Sequence, residues 1–232
     1  MNDYVEMLAY FGVSGAHPGG MELTKAMIEH VKLSPDERIL DVGCGTGQTA
    51  AYLGNLGFQV DAIDTHPLMV EKANLRFKKE ELPLTALRAS VENLPFADAT
   101  FSLLMSESVL SFTHLSAALS EIKRVLIPGS KVLANEAVLK APIPADHLNV
   151  IKSFYGFHSL FSVEEWKEQL TTAGFHHIRI LSFDEHMVQD EPTEMVLSEQ
   201  IPPYLYDTLQ THYDLIQANR EHLSHILFEC TV

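Results

Sequence analysis

The chain has 232 residues, 46% of them hydrophobic, and a formal net charge of −15. The length suits one domain carrying insertions, and the charge opposes nucleic acid and anionic membranes, which are both polyanions. The cysteines, Cys44 and Cys230, leave no Cys-x-x-Cys metal or redox motif and fit a reducing, cytoplasmic setting, while no apolar run is long enough for a leader or a membrane span.

The first helix is expected over Asp3 to Phe11, where Tyr4, Val5, Leu8 and Phe11 recur at helical spacing. A Gly/Pro-rich stretch follows, then a helix over Met21 to Val31. Arg38 to Val42 reads as a short apolar strand, Gln48 to Leu56 as a helix and Gln59 to Asp64 as a strand. Pro67 opens a helix to Lys79 at a position where its missing N–H costs nothing. Thr85 to Ala89, Phe101 to Met105 and Lys131 to Val138 read as strands, with a helix over Leu115 to Leu126 stopped by Pro128-Gly129. Residues 141–160 form an insertion with two prolines and an aromatic cluster. Ser162 and Glu165 then make a capping box for a helix through Leu170. Phe175 to Phe183 is a strand, Tyr204 to Arg220 a helix inside a second insertion (187–222), and His225 to Val232 a last strand.

This alternation predicts an α/β fold: a Rossmann-like three-layer sandwich with a mostly parallel sheet, helices on both faces and an antiparallel C-terminal strand. Ligands in such sheets sit at the carboxyl ends of the strands. The whole of 1–232 is expected to be one domain, with a helical lid over 1–33.

The most informative segment is Asp41-Val-Gly43-Cys-Gly45-Thr-Gly47-Gln48, between a strand and a helix. A dinucleotide fingerprint needs a third glycine where Gln48 stands. An acid beside the loop repels a pyrophosphate and suits a cationic ligand. S-adenosylmethionine (SAM) carries a sulfonium and an ammonium group.

Here the chain resembles the class I SAM-dependent methyltransferases, and specifically the methyltransferase type 11 family. The resemblance runs from about Ile39 to Val138 and includes Ala62-Ile-Asp64-Thr65-His-Pro67, Glu92-Asn-Leu-Pro-Phe96, Ala97-Asp-Ala-Thr-Phe101 and the block from Glu121 to Gly129. It implies SAM as cofactor, held by Asp41, Gly43, Gly45, Gly47, Asp64, Thr65, Ser90, Val91 and Ser106. Asp64 takes the role of the acid on the ribose hydroxyls, and Ser90 stands where the family usually has an acid at the adenine edge.

Methyl transfer to a hydroxyl or ammonium needs a base. The candidates over the strand ends are Glu107, Ser108 and Glu136, with His17 in the N-terminal loop and Tyr155 and His158 in the first insertion. His17 and Glu136 are the expected catalytic pair. No metal is expected. Adjacent His176 and His177 point to opposite strand faces, and His222 and His225 lack a third ligand. The Asn/Asp-Pro-Pro-Tyr/Phe motif of amino-directed nucleic-acid methyltransferases is absent; Ser106-Glu-Ser-Val109 stands in its place. A small-molecule acceptor is the leading expectation. A SAM-binding protein without transfer activity and a protein methyltransferase stay open beside it.

Overall fold

The structure is a computed structural model and describes residues 2–183 and 194–232. Part of the expected second insertion, 187–193, lies outside the described residues. The strands are β1 (Arg38–Val42), β2 (Gln59–Asp64), β3 (Ala86–Arg88), β4 (Phe101–Glu107), β5 (Leu126–Leu139), β6 (His176–Leu181) and β7 (Leu223–Thr231). They form one sheet in the order β3-β2-β1-β4-β5-β7-β6. The pairs from β3 to β5 are parallel, and β7 runs antiparallel to both β5 and β6. The strand order reverses between β1 and β4, which opens a crevice at their carboxyl ends.

The helices are α1 (Asp3–Phe11), α2 (Gly20–Val31), α3 (Gln48–Asn55), α4 (Pro67–Lys79), α5 (Leu115–Val125), α6 (Ala145–Tyr155), α7 (Val163–Thr172) and α8 (Tyr204–Asn219). Successive strand residues serve opposite faces. Leu40, Leu104, Val132 and Phe228 pack toward α5 and α7, in the cluster containing Ile122 and Trp166. Ile39, Leu103, Leu133 and Leu227 pack toward α2, α3 and α4, with Met27, Leu53 and Phe77. Burying each such side chain contributes roughly 1.5–3 kcal/mol. Trp166 is fully buried and its indole N–H donates to the Ala137 carbonyl at 3.1 Å, so no polar group is stranded there.

A third apolar cluster joins α1, α6 and α8, with Ala137 and Leu139 of β5 and Leu223 of β7 packed against it. Tyr4, Met7 and Phe11 of α1 meet Ile151 and Tyr155 of α6 and Leu205 of α8. These three helices form a cap. Helix α6 lies inside the first insertion, for which no element is expected from the sequence. Pro144 caps it without a side-chain bond, and Leu148, Ile151 and Tyr155 give it one apolar face. Pro142 and Pro144 precede the helix and do not interrupt it.

The other elements fall within a few residues of their expected ends. The capping box forms, with Ser162 N–H donating to Glu165 at 2.8 Å and Glu165 N–H to Ser162 Oγ at 3.3 Å. Strand β5 starts earlier than expected, at Leu126, because the chain passes straight from α5 into pairing with Phe101. Its register then shifts, with Pro128-Gly129 in the stretch before Lys131 pairs with Leu103.

Candidate active site

The loop after β1 crosses the crevice. Gly43 and Gly47 have φ of 66° and 79°, and a Cβ on either would collide with Val109 or Phe77, at 2.3 and 2.8 Å. A side chain at either position would break that packing. Gly45 has φ of 54° and open space where its Cβ would be, and it lines the cavity together with Gly43 and Gly15.

A cavity of about 260 Å³ lies over this loop and is lined by Asp41, Asp64, Glu92 and Glu107. Asp64 ends β2. Its carboxylate accepts from Gly45 N–H at 3.0 Å and His66 N–H at 2.7 Å, so it shapes the loop as well as facing the cavity. Burial pushes its pKa up, and those two amides oppose the rise. Asp41 is 2% exposed, and its Oδ2 has no hydrogen-bond partner among the described residues. Burial pushes its carboxyl well above the usual carboxylate range, and the charges of Glu107 and Asp64 add to that. Glu107, at the end of β4, accepts from Thr24 Oγ1 at 2.6 Å and Thr49 Oγ1 at 2.8 Å. The far wall includes Thr65, Ser90, Val91, Ile63 and Met69. Ser90 Oγ accepts from Glu92 N–H at 3.1 Å.

A second cavity, of about 490 Å³, lies between the sheet and the cap. That is the size of a small-molecule pocket. Its walls include Met7, Phe112, Phe157 and Leu209. Leu8, Val13, His17, Ser108 and Phe112 line both cavities. His17 therefore sits at the seam. Its side chain is 6% exposed, with Nε2 3.5 Å from Glu107 Oε1 and Nδ1 3.4 Å from the Pro18 carbonyl.

The two expected catalytic residues part company. Glu136 is fully buried and lines neither cavity. It accepts from Ser106 Oγ, the amides of Val109, Leu110 and Ser111, and Ser111 Oγ, at 2.9–3.3 Å. Burial raises its pKa against those donors. Strand alternation explains this: Glu136 anchors the turn after β4 from inside the fold. Ser106 is spent on the same bond and is fully buried, so it too is off the cavity.

The residues at the end of β4 that do reach the cavities are Glu107 and, just after the strand, Ser108. Ser108 has φ of 59°, a left-handed conformation that is strained for serine. Sequence reasoning named both but passed over them as leading site residues, although one step along a strand is enough to reverse a side chain. Thr24 and His212 were missed outright, since only tertiary packing brings them here. His158 is exposed and lines neither cavity, its ring lying edge-on to His114 at 4.3 Å.

The family model described as a methyltransferase domain matches residues 40–134. The uncharacterized methyltransferase YodH of Bacillus subtilis (strain 168) is 47% identical over 229 residues, covering 98% of each chain. An O-methyltransferase of Pyrenophora dematioidea is 30% identical over 170 residues, 71% of this chain and 64% of that protein. Among solved structures, Haemonchus contortus phosphoethanolamine N-methyltransferase 2, in complex with phosphomonomethylethanolamine and S-adenosylhomocysteine, superposes with a TM-score of 0.80 at 20% identity. That match covers 98% of this chain and 57% of that one. The loop, the strand order and these relatives agree: the chain belongs to the class I SAM-dependent methyltransferases.

Proposed function

We propose that the chain transfers a methyl group from SAM to a small molecule seated in the chamber under the cap. The observation that carries this is the pair of cavities meeting at His17, one rich in carboxylates and one apolar. SAM suits the first cavity. Its sulfonium and ammonium charges answer a cluster that leaves Asp41 Oδ2 without a partner among the described residues. Asp64 keeps lone pairs beyond its two amide bonds for ribose hydroxyls. Gly45 leaves room for close backbone approach, and Ser90 and Val91 offer an edge to adenine. Ser106 and Glu136 drop out of the binding and catalytic sets and become positioning residues for the turn that carries Ser108 and Val109.

When bound, SAM supplies a methyl group made electrophilic by the positive sulfur. The protein's own part is orientation, exclusion of water and custody of a proton. His17 and Glu107 together take the acceptor's proton: Asn135 Nδ2 lies 3.4 Å from His17 Nδ1, and Nε2 faces Glu107 Oε1, which Thr24 and Thr49 hold in place. The cap closes the acceptor side, and its helices α1, α6 and α8 belong with the sheet to one functional domain. The buried free thiols Cys44 and Cys230 suit the cytoplasm. Among the described residues no helix is long and apolar enough to cross a membrane, and the charge of −15 disfavours nucleic acid as acceptor.

The test is incubation with methyl-labelled SAM and a small-molecule extract. Label in the low-mass fraction with matching release of S-adenosylhomocysteine is expected. SAM binding without release would make the chain a binder only, and label on protein would move the acceptor class.

A further inference from the structure

The acceptor chamber carries a hydrogen-bonded polar pair that does not line the cofactor-side cavity. Tyr155 Oη lies 3.1 Å from His212 Nδ1, and both side chains line the chamber. Tyr4 packs edge-on against Tyr155 at 4.8 Å and lies 5.1 Å from the His212 ring, so the pair is held by aromatic contact. Burial lowers the pKa of His212 and raises that of Tyr155 to about 12, which keeps both neutral. Two arrangements of the proton are open to a neutral pair. Either the tyrosine O–H donates to Nδ1 and leaves Nε2–H as a donor, or Nδ1–H donates to the tyrosine oxygen and leaves the O–H as a donor. In both, one donor is left over for a guest.

Charge excludes a large class of guests. No Lys or Arg lines either cavity among the described residues, and residues 184–193 contain none in sequence. A phosphate or sulfate would enter unpaired beside four carboxylates, which is costly in a low-dielectric site. The walls favour flat aromatic guests instead. The rings of Tyr155 and Phe157 stack at 5.1 Å, and Phe112 meets Phe157 edge-on at 4.8 Å.

The geometry points to a neutral aromatic acceptor that carries its nucleophilic hydroxyl at the His17 seam and a second oxygen on the Tyr155–His212 pair. This rests on the methyltransferase reading and narrows it to a substrate class. Tyr155 and His212 are specificity residues, and neither lines the cofactor-side cavity.

Calorimetry with and without S-adenosylhomocysteine tests it, using para-phenylphenol, para,para′-biphenol and phosphoethanolamine as probes. Biphenol is expected to bind about tenfold tighter than phenylphenol, one hydrogen bond's worth, and phosphoethanolamine not to bind. His212→Leu should erase the biphenol preference while leaving phenylphenol affinity and the melting temperature nearly unchanged. His212→Gln, which can still bond Tyr155 and a guest, should restore most of it. Equal affinity for the two phenols in the wild-type protein, or phosphoethanolamine binding tighter than either, overturns the inference. If S-adenosylhomocysteine itself fails to bind, the cofactor reading falls and this one with it. If it binds and the phenols are not distinguished, only the acceptor class falls.

Discussion

Among the described residues, the cofactor-side cavity gathers Asp41, Asp64, Glu92 and Glu107, while the chamber beside it is lined by no carboxylate and no Lys or Arg. The first is built by the carboxyl ends of β1, β2 and β4 and by backbone amides that hold the charges in place. The second is walled largely by α1, α6 and α8, whose contacts with one another form a separate apolar core. A sheet end can concentrate charge because the crevice supplies donors. A cap of amphipathic helices can offer only side chains, and here they are aromatic and aliphatic. The proposed placement of the cationic cofactor on one side and a neutral acceptor on the other, with His17 between them, rests on this contrast.

The largest expected effect falls on the seam. His17→Ala should lower kcat by roughly a hundred- to ten-thousand-fold, the usual contribution of a general base, with SAM affinity nearly intact. Steady-state kinetics beside calorimetry would separate the two, and an unchanged kcat would remove His17 from the chemistry. Next comes Asp64→Ala, expected to weaken SAM binding by roughly thirty- to a thousand-fold. Part of that loss belongs to the Gly45 and His66 amides it releases. A folded variant with wild-type affinity would exclude the ribose role.

Within the cap, Met7 and Leu8 sharpen the comparison. Met7 is fully buried, so Met7→Ala should cost about 2–5 kcal/mol of stability. Leu8 is half-buried and lines both cavities, so Leu8→Ala should chiefly raise KM for the acceptor. Thermal melts and kinetics on both variants check the split, which reverses if the helix is only a stability element. The smallest effect is a pH dependence. The folded-state pKa of His212 is depressed by burial. Stability from keeping it neutral is present above the ordinary histidine value of about 6.5. It is lost as pH falls through the lowered folded value. His212→Leu should flatten the fall in melting temperature below that point.

The same contrast explains what the sequence made legible. Gly43, Gly45, Gly47, Asp41 and Asp64 lie on one strand–loop–helix passage and the strand after it, so local spacing is enough to find them. Side-chain direction is harder: Ser106 and Glu136 face inward to each other, while Glu107 and Ser108 face out. The acceptor chamber was least legible. Tyr4, Tyr155 and His212 come from three helices far apart in sequence, one of them hidden behind prolines.

The central claim is that the cofactor cavity stores negative charge that only a cation relieves, and Asp41 tests it most directly. Its folded-state pKa is raised. Whatever stability it gives is fully present only below the ordinary carboxylate value of about 3.9 and is lost as pH rises through the raised value. At neutral pH burying this carboxyl therefore opposes folding, and a cation seated beside it would relieve that cost. Melting Asp41→Asn and wild type at pH 7 with and without SAM reads both effects at once. The account predicts that the variant melts higher alone and gains much less from SAM. A variant that melts lower alone and gains as much from SAM as wild type would contradict it.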